Sequence, residues 1–144
     1  MDKQDKEIIE IKIRQIELSF DLIRNRLPST LQKFLSLDVL VRDGIYKRIE
    51  FIIQNILDIL AIFTKYFKKI PGDDESVIEI LQKANFLDPK TAEIIKKMRG
   101  FRNFLVHRYG ELFDEIAFNN ISAGLQDIVN VIEFLRNSLN KLDP

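Results

Sequence analysis

The chain has no cysteine and no tryptophan, one histidine, and only 5 glycines and 4 prolines among 144 residues. Without cysteine there is no disulfide framework, no thiolate metal site and no thiol nucleophile, so any chemistry falls to His, carboxylates, Arg, Lys, Tyr or hydroxyls. Apolar residues at 46% and charged residues at 31% leave no room for a disordered composition; with so little Gly and Pro, they give the balance of a helical globule. No apolar run is long enough to cross a bilayer, and no basic start leads into a signal-like apolar stretch, so a cytoplasmic location is expected. The net charge is zero, which gives the molecule no general field for attracting nucleic acid. Charge is nevertheless uneven: between positions 90 and 109, Lys90, Lys96, Lys97, Arg99, Arg102 and Arg108 face Glu93 alone. Such a run is ordinarily a solvated helix face, and here it is also a candidate phosphate-binding strip. No carboxylate pair, glycine-rich phosphate loop or metal-ligand cluster stands out, so neither a metal nor a cofactor is expected.

Apolar spacing predicts an all-α chain of about five helices. The length suits a single domain over 1–144 with one core. In the first segment Ile9, Ile13, Ile16, Phe20, Ile23 and Leu27 recur in steps of four and three, and Pro28-Ser29 ends it. The second, about Asp38 to Lys69, carries Ile45, Ile49, Ile52, Ile56, Ile59, Phe63 and Phe67, with Gly44 as a weak point near its start. Pro71-Gly72 marks a turn, after which Asp73 or Asp74 caps a third helix reaching about Ala84. Asp88-Pro89 is the firmest boundary: the Asp accepts hydrogen bonds from first-turn amides, and a Pro at the first helical position gives up no intrahelical bond. The fourth helix then runs through Ile94, Ile95, Met98, Phe101, Leu105 and Val106 towards Gly110, a plausible left-handed residue just past its end. A last helix from about Asp114 carries Ile121, Leu125, Ile128, Ile132, Leu135, Leu139 and Leu142. These elements predict an up-and-down helical bundle with short connections.

The only histidine lies in Arg99 to Tyr109, RGFRNFLVHRY. A lone His in a bundle is most often structural, but its neighbours add to it. Arg102 is a permanent cation whose planar fork fits a phosphate, and it stands in an apolar turn where an unpaired charge is costly. An imidazole titrates near neutral pH and can take a proton from a 2′-hydroxyl or give one to a leaving 5′-oxygen. Together they form a minimal kit for cleaving RNA without a metal. Such cleavage needs both a base and an acid, and one chain holds one imidazole, so a two-fold dimer bringing two Arg102/His107 pairs to one cleft is expected. Residues five apart on a helix point about 140° from each other, so Arg102 and His107 converge only if the helix ends or loosens near His107 or both look obliquely into a wide cleft. Asn103, four residues before His107, shares its face on an unbroken helix.

The string Arg102-Asn103-Phe104-Leu105-Val106-His107-Arg108-Tyr109 resembles the R-x4-H-x-Y motif of HEPN-domain ribonuclease toxins, specifically the HepT type paired with a minimal nucleotidyltransferase antitoxin. DGIYKRIEFIIQNILD, from Asp43 to Asp58, resembles the long second helix of that family, and NFLDPKTAEIIKKMRGFRN its approach to the motif. The likeness extends over about residues 5 to 140. It implies a dimerising all-α HEPN-like fold and a metal-independent endoribonuclease. Arg102 and His107 are then the catalytic pair and Asn103 orients the His or the scissile group. Tyr109 becomes the residue on which the nucleotidyltransferase places AMP, silencing the toxin with bulk and negative charge. Lys97, Arg99 and Arg108 are candidate contacts to RNA phosphates; Arg108 stands where relatives often carry an acid.

Bland readings stand beside these. Tyr109 reads equally as a boundary aromatic, Asn103 as an exposed helix residue, and Asp58 as a surface carboxylate or as the partner of a cation in the cleft. A different class of function also fits: a non-catalytic helical dimer that binds and regulates a nucleotidyltransferase partner.

Overall fold

The computed structural model describes residues 1–67, 74–107 and 110–144, and it is all-α among them. Six α-helices follow one another: α1 (Lys3–Arg26), α2 (Leu31–Leu35), α3 (Val39–Thr64), α4 (Asp74–Lys83), α5 (Pro89–Leu105) and α6 (Gly110–Leu142); a 3-10 turn, Lys65–Phe67, extends α3. Pro71, Gly72 and Asp73, expected to form the turn before α4, lie outside the described residues, as does Lys69.

The apolar stripes become one core. Ile9, Ile13, Ile16, Phe20 and Ile23 of α1 are buried against Ile45, Ile49, Ile52, Ile56, Ile59 and Phe63 of α3 and against Ile121, Ile128, Leu135 and Leu139 of α6. α3 is the central element, packed on α1, α4 and α5, while α6 closes the other side against α1, α2 and α5. Burying a side chain of this size stabilises the fold by about 1.5–3 kcal/mol, so the pairing of α1 with α3 outweighs any local propensity.

Local signals set the boundaries. Asp88 caps α5: its Oδ1 accepts from Thr91 N at 2.8 Å and its Oδ2 from the Thr91 hydroxyl at 2.7 Å, with Pro89 at the first helical position as expected. Asp38 caps α3 by accepting from Leu40 N at 2.8 Å, and the helix runs unbroken through Gly44. α2 was not foreseen; five residues are too few to show a period, but Thr30 Oγ1 accepts from Lys33 N at 3.2 Å and Phe34 is fully buried.

Two boundaries differ from expectation around the arginine-histidine string. The fourth helix stops at Leu105, not at Gly110, and the last begins at Gly110 rather than near Asp114. Gly110 does adopt the left-handed region, at φ 77°, but as the first residue of α6 and not as the stop of α5. Val106, counted with the apolar stripe, follows the last residue of α5 and is 64% exposed.

A second cluster ties α1 to the end of α3. The Tyr66 hydroxyl donates to Asp5 Oδ2 at 2.6 Å and Lys65 Nζ lies 3.3 Å from Asp5 Oδ1. The Tyr66 hydrogen bond, helped by Lys65 and opposed by burial, holds the Asp5 carboxyl below its ordinary value of 3.8. The folded chain thus binds that proton less readily than the unfolded one, so the stabilisation is complete above the ordinary value and disappears as pH falls through the depressed one. Asp5→Asn is expected to flatten the acid limb of a plot of unfolding midpoint against pH and to leave its shape near neutrality unchanged. Asp88→Ala is expected to cost about 1 kcal/mol, read as a lower urea midpoint with an unaltered slope.

Candidate active site

Successive residues of α5 turn by about 100°, which places Ala92, Ile95, Arg99, Arg102 and Leu105 in one inward-facing sector. Ala92, Ile95 and Leu105 are buried there, and Arg99 and Arg102 are half-buried. Arg102 therefore occupies a position where the helix pattern would put a core residue, and its side chain is carried towards α3. One terminal nitrogen, Nη1, donates to Gln54 Oε1 at 2.9 Å, and Nη2 lies 3.5 Å from Asn103 Oδ1. The charge expected in an apolar turn is accordingly met by hydrogen-bond acceptors.

His107 stands two residues beyond the last residue of α5, with its amide donating to Phe104 O at 3.1 Å, and it is exposed. The chain leaves α5 after Leu105, before it reaches the imidazole. Asn103 is exposed and lies beside the Arg102 guanidinium. Lys97 is exposed on a different flank of α5, lining a groove of about 230 Å³ between α3, α5 and α6 that contains none of Arg102, Asn103 and His107. Arg108 and Tyr109 lie outside the described residues. Among the described residues, no group of three or more potential ligand side chains could hold a metal ion, and no helix is long and apolar enough to cross a membrane.

Aromatic packing holds both sides of the 106–109 connection. Phe101 stacks on Phe104 with ring centroids 5.8 Å apart, and Phe104 stacks on Phe113 of α6 at 4.6 Å. Phe113 in turn meets the buried Tyr46 edge-on at 5.6 Å, and the Tyr46 hydroxyl donates to Asp114 Oδ1 at 2.5 Å. The end of α5 and the start of α6 are thus fixed to each other and to α3.

Sequence reasoning missed Gln54 and misplaced Asp58. Asp58 is paired, but with Lys12 of α1 at 3.2 Å, and Gln54 Nε2 donates to its other oxygen at 2.8 Å. The available signal was two polar residues four apart on α3 within a run of Ile and Leu; nothing in the sequence said that Lys12 would face them.

Three comparisons place the chain. It matches the family described as Ribonuclease HepT-like over residues 16–135. An Archaeoglobus fulgidus protein described as "Putative RNase" is 29% identical over 101 residues, 70% of this chain and 76% of that protein. Among solved structures, the mutant toxin–antitoxin complex MntA-HpeT superposes with a TM-score of 0.80 at 22% identity, covering 91% of this chain and 98% of that one. The tri-AMPylated Shewanella oneidensis HEPN toxin in complex with MNT antitoxin gives 0.77 at 22% identity, covering 95% and 99%. At those identities the structures establish the HEPN fold, and the family match over most of the sequence establishes descent: this chain belongs to the HepT-like ribonuclease family.

Proposed function

We propose that the chain, as a single HEPN-like domain over 1–144 acting in the cytoplasm, is a metal-independent endoribonuclease toxin. The observation that carries the reading is Arg102 held at a core position of α5 by a neutral amide, with the helix ending before the only imidazole. Arg102 then offers its positive charge to a phosphate, close in sequence to the exposed His107. His107 takes the proton of the ribose 2′-hydroxyl; that oxygen attacks phosphorus, the bond to the 5′-oxygen breaks, and a second imidazole protonates the leaving oxygen. Arg102 stabilises the charge gathering on the phosphoryl oxygens. The products are a 2′,3′-cyclic phosphate and a 5′-hydroxyl. Asn103, within 3.5 Å of the guanidinium, helps to orient it, and Arg99, Arg108 and Lys97 extend the positive charge along the RNA backbone.

The second imidazole comes from a homodimer. Val106 within the motif, and Leu112 and Ile116 after it, are exposed, which supplies apolar surface for a two-fold interface beside it. The Shewanella toxin is tri-AMPylated and in complex with MNT antitoxin; in this chain a minimal nucleotidyltransferase antitoxin silences the toxin by transferring AMP to Tyr109, whose hydroxyl bonds to the α-phosphate of ATP as pyrophosphate leaves. The added phosphate brings negative charge to the mouth of an RNA-binding cleft and repels the substrate.

Purified protein in excess chelator is expected to cut single-stranded RNA and leave cyclic-phosphate ends. His107→Ala should lose about 10²- to 10⁴-fold in rate and Arg102→Ala about 10²- to 10³-fold. Because His107 is exposed, its substitution should move stability by no more than about 0.5 kcal/mol. Wild-type protein that cuts nothing would leave the motif a binding feature and the chain a partner of a nucleotidyltransferase. Replacing Leu112 and Ile116 together by Glu should shift the mass measured by light scattering from dimer to monomer and abolish cleavage.

A further inference from the structure

A row of polar side chains runs from the α1–α3 interface to Arg102 and takes part in none of the steps above. Buried Asn55 donates through Nδ2 to Phe51 O at 3.0 Å and accepts at Oδ1 from Lys12 Nζ at 3.3 Å. Lys12 Nζ also donates to Asp58 Oδ2 at 3.2 Å. The other oxygen, Asp58 Oδ1, accepts from Gln54 Nε2 at 2.8 Å, and Gln54 Oε1 accepts from Arg102 Nη1 at 2.9 Å.

We propose that Gln54 is a positioning residue for the Arg102 guanidinium, with Asp58 fixing the direction of its amide and Lys12 holding Asp58 in place. The kinetic consequence rests on the ribonuclease reading; the restraint on Arg102 does not. A glutamine amide has a donor end and an acceptor end of nearly equal shape, so its orientation is decided by its partners. An ionised carboxylate only accepts. Asp58 therefore draws the NH2 group of Gln54 to itself and leaves the carbonyl oxygen facing Arg102; with the amide reversed, donor would face donor at Arg102 and acceptor would face acceptor at Asp58. The direction of every bond in the row is thus dictated by the two charged residues behind Gln54.

Chemistry favours an amide over an acid at this position. A carboxylate against Arg102 would form a charge-assisted pair and compete with the phosphate for the same guanidinium donors. An amide restrains the guanidinium and leaves its charge available. The one carboxylate in the row is a residue removed from Arg102 and is balanced by Lys12. Gln54 is exposed, so its hydrogen bonds add little to stability, and deleting them alters where Arg102 points with little change in how firmly the chain folds.

The test combines kinetics with a direct view of the guanidinium. Wild-type protein, Gln54→Ala, Asp58→Asn and the double variant are compared by RNA cleavage, thermal midpoint and NMR of arginine-labelled samples, which reads rotation about the Arg102 Nε–Cζ bond. Each single variant is expected to lower kcat between about tenfold and a hundredfold with a smaller change in KM. The double variant should be no slower than the slower single one, because both act on one link; Gln54→Ala should keep the wild-type midpoint, and the two variants lacking Asp58 should share one slightly lower midpoint from the lost Lys12 pair. Arg102 rotation should be slow in the wild type and fast in all three variants. Gln54→Glu should keep rotation slow and still lose activity, since it restrains the charge and cancels it. Losses that multiply, midpoints that fall in step with activity, or a guanidinium that rotates equally in wild type and Gln54→Ala would each overturn the proposal. If the wild type cuts no RNA, the ribonuclease reading fails and the rotation measurement alone decides whether Gln54 restrains Arg102.

Discussion

The stacking of Phe104 on Phe113 is the contact on which the candidate site depends. For the proposed catalytic string, which bridges two helices, fixed flanks matter, since an error of an ångström in the reacting groups is expensive in rate. Phe104 lies three residues before His107 and Phe113 three residues after Gly110, and their rings lie 4.6 Å apart and nearly parallel. Tyr46 extends this clamp to α3 through its edge contact with Phe113 and its bond to Asp114. The core thereby reaches the residues on either side of the connection, and Gly110, in the left-handed region, opens α6.

The second constraint is electrostatic. Arg102 sits half-buried on α5, where a charge without acceptors would be costly. An amide accepts from its guanidinium, and the carboxylate that directs the amide is matched by a lysine from another helix. The same surface that packs α1 on α3 therefore also aims a residue of α5.

Much of the helical frame was legible because it follows from two local rules, the spacing of apolar residues and the chemistry of caps. Ile9 to Ile23 and Ile45 to Phe63 are buried as their period requires, and Asp88-Pro89 opens a helix as its chemistry requires. The misses share a cause. α2 is too short to have a period, and no local pattern announces that α5 ends at Leu105 or that Phe104 meets Phe113. The residues of the R-x4-H string could be picked out from their types, but their relations could not. The contact of Asn103 with Arg102 is not announced by their spacing, and the Lys12–Asp58 pair joins residues 46 positions apart.

Val106 and His107 are exposed and lie outside the helices, while the residues that fasten their surroundings are Phe101, Phe104, Phe113 and Tyr46. Under the proposed reading, foldedness and chemistry are written in different residues of the same neighbourhood. Substitutions at Val106 and His107 are then screened by what the protein does and scarcely at all by whether it folds, so descendants can drift in activity and persist as intact helical proteins.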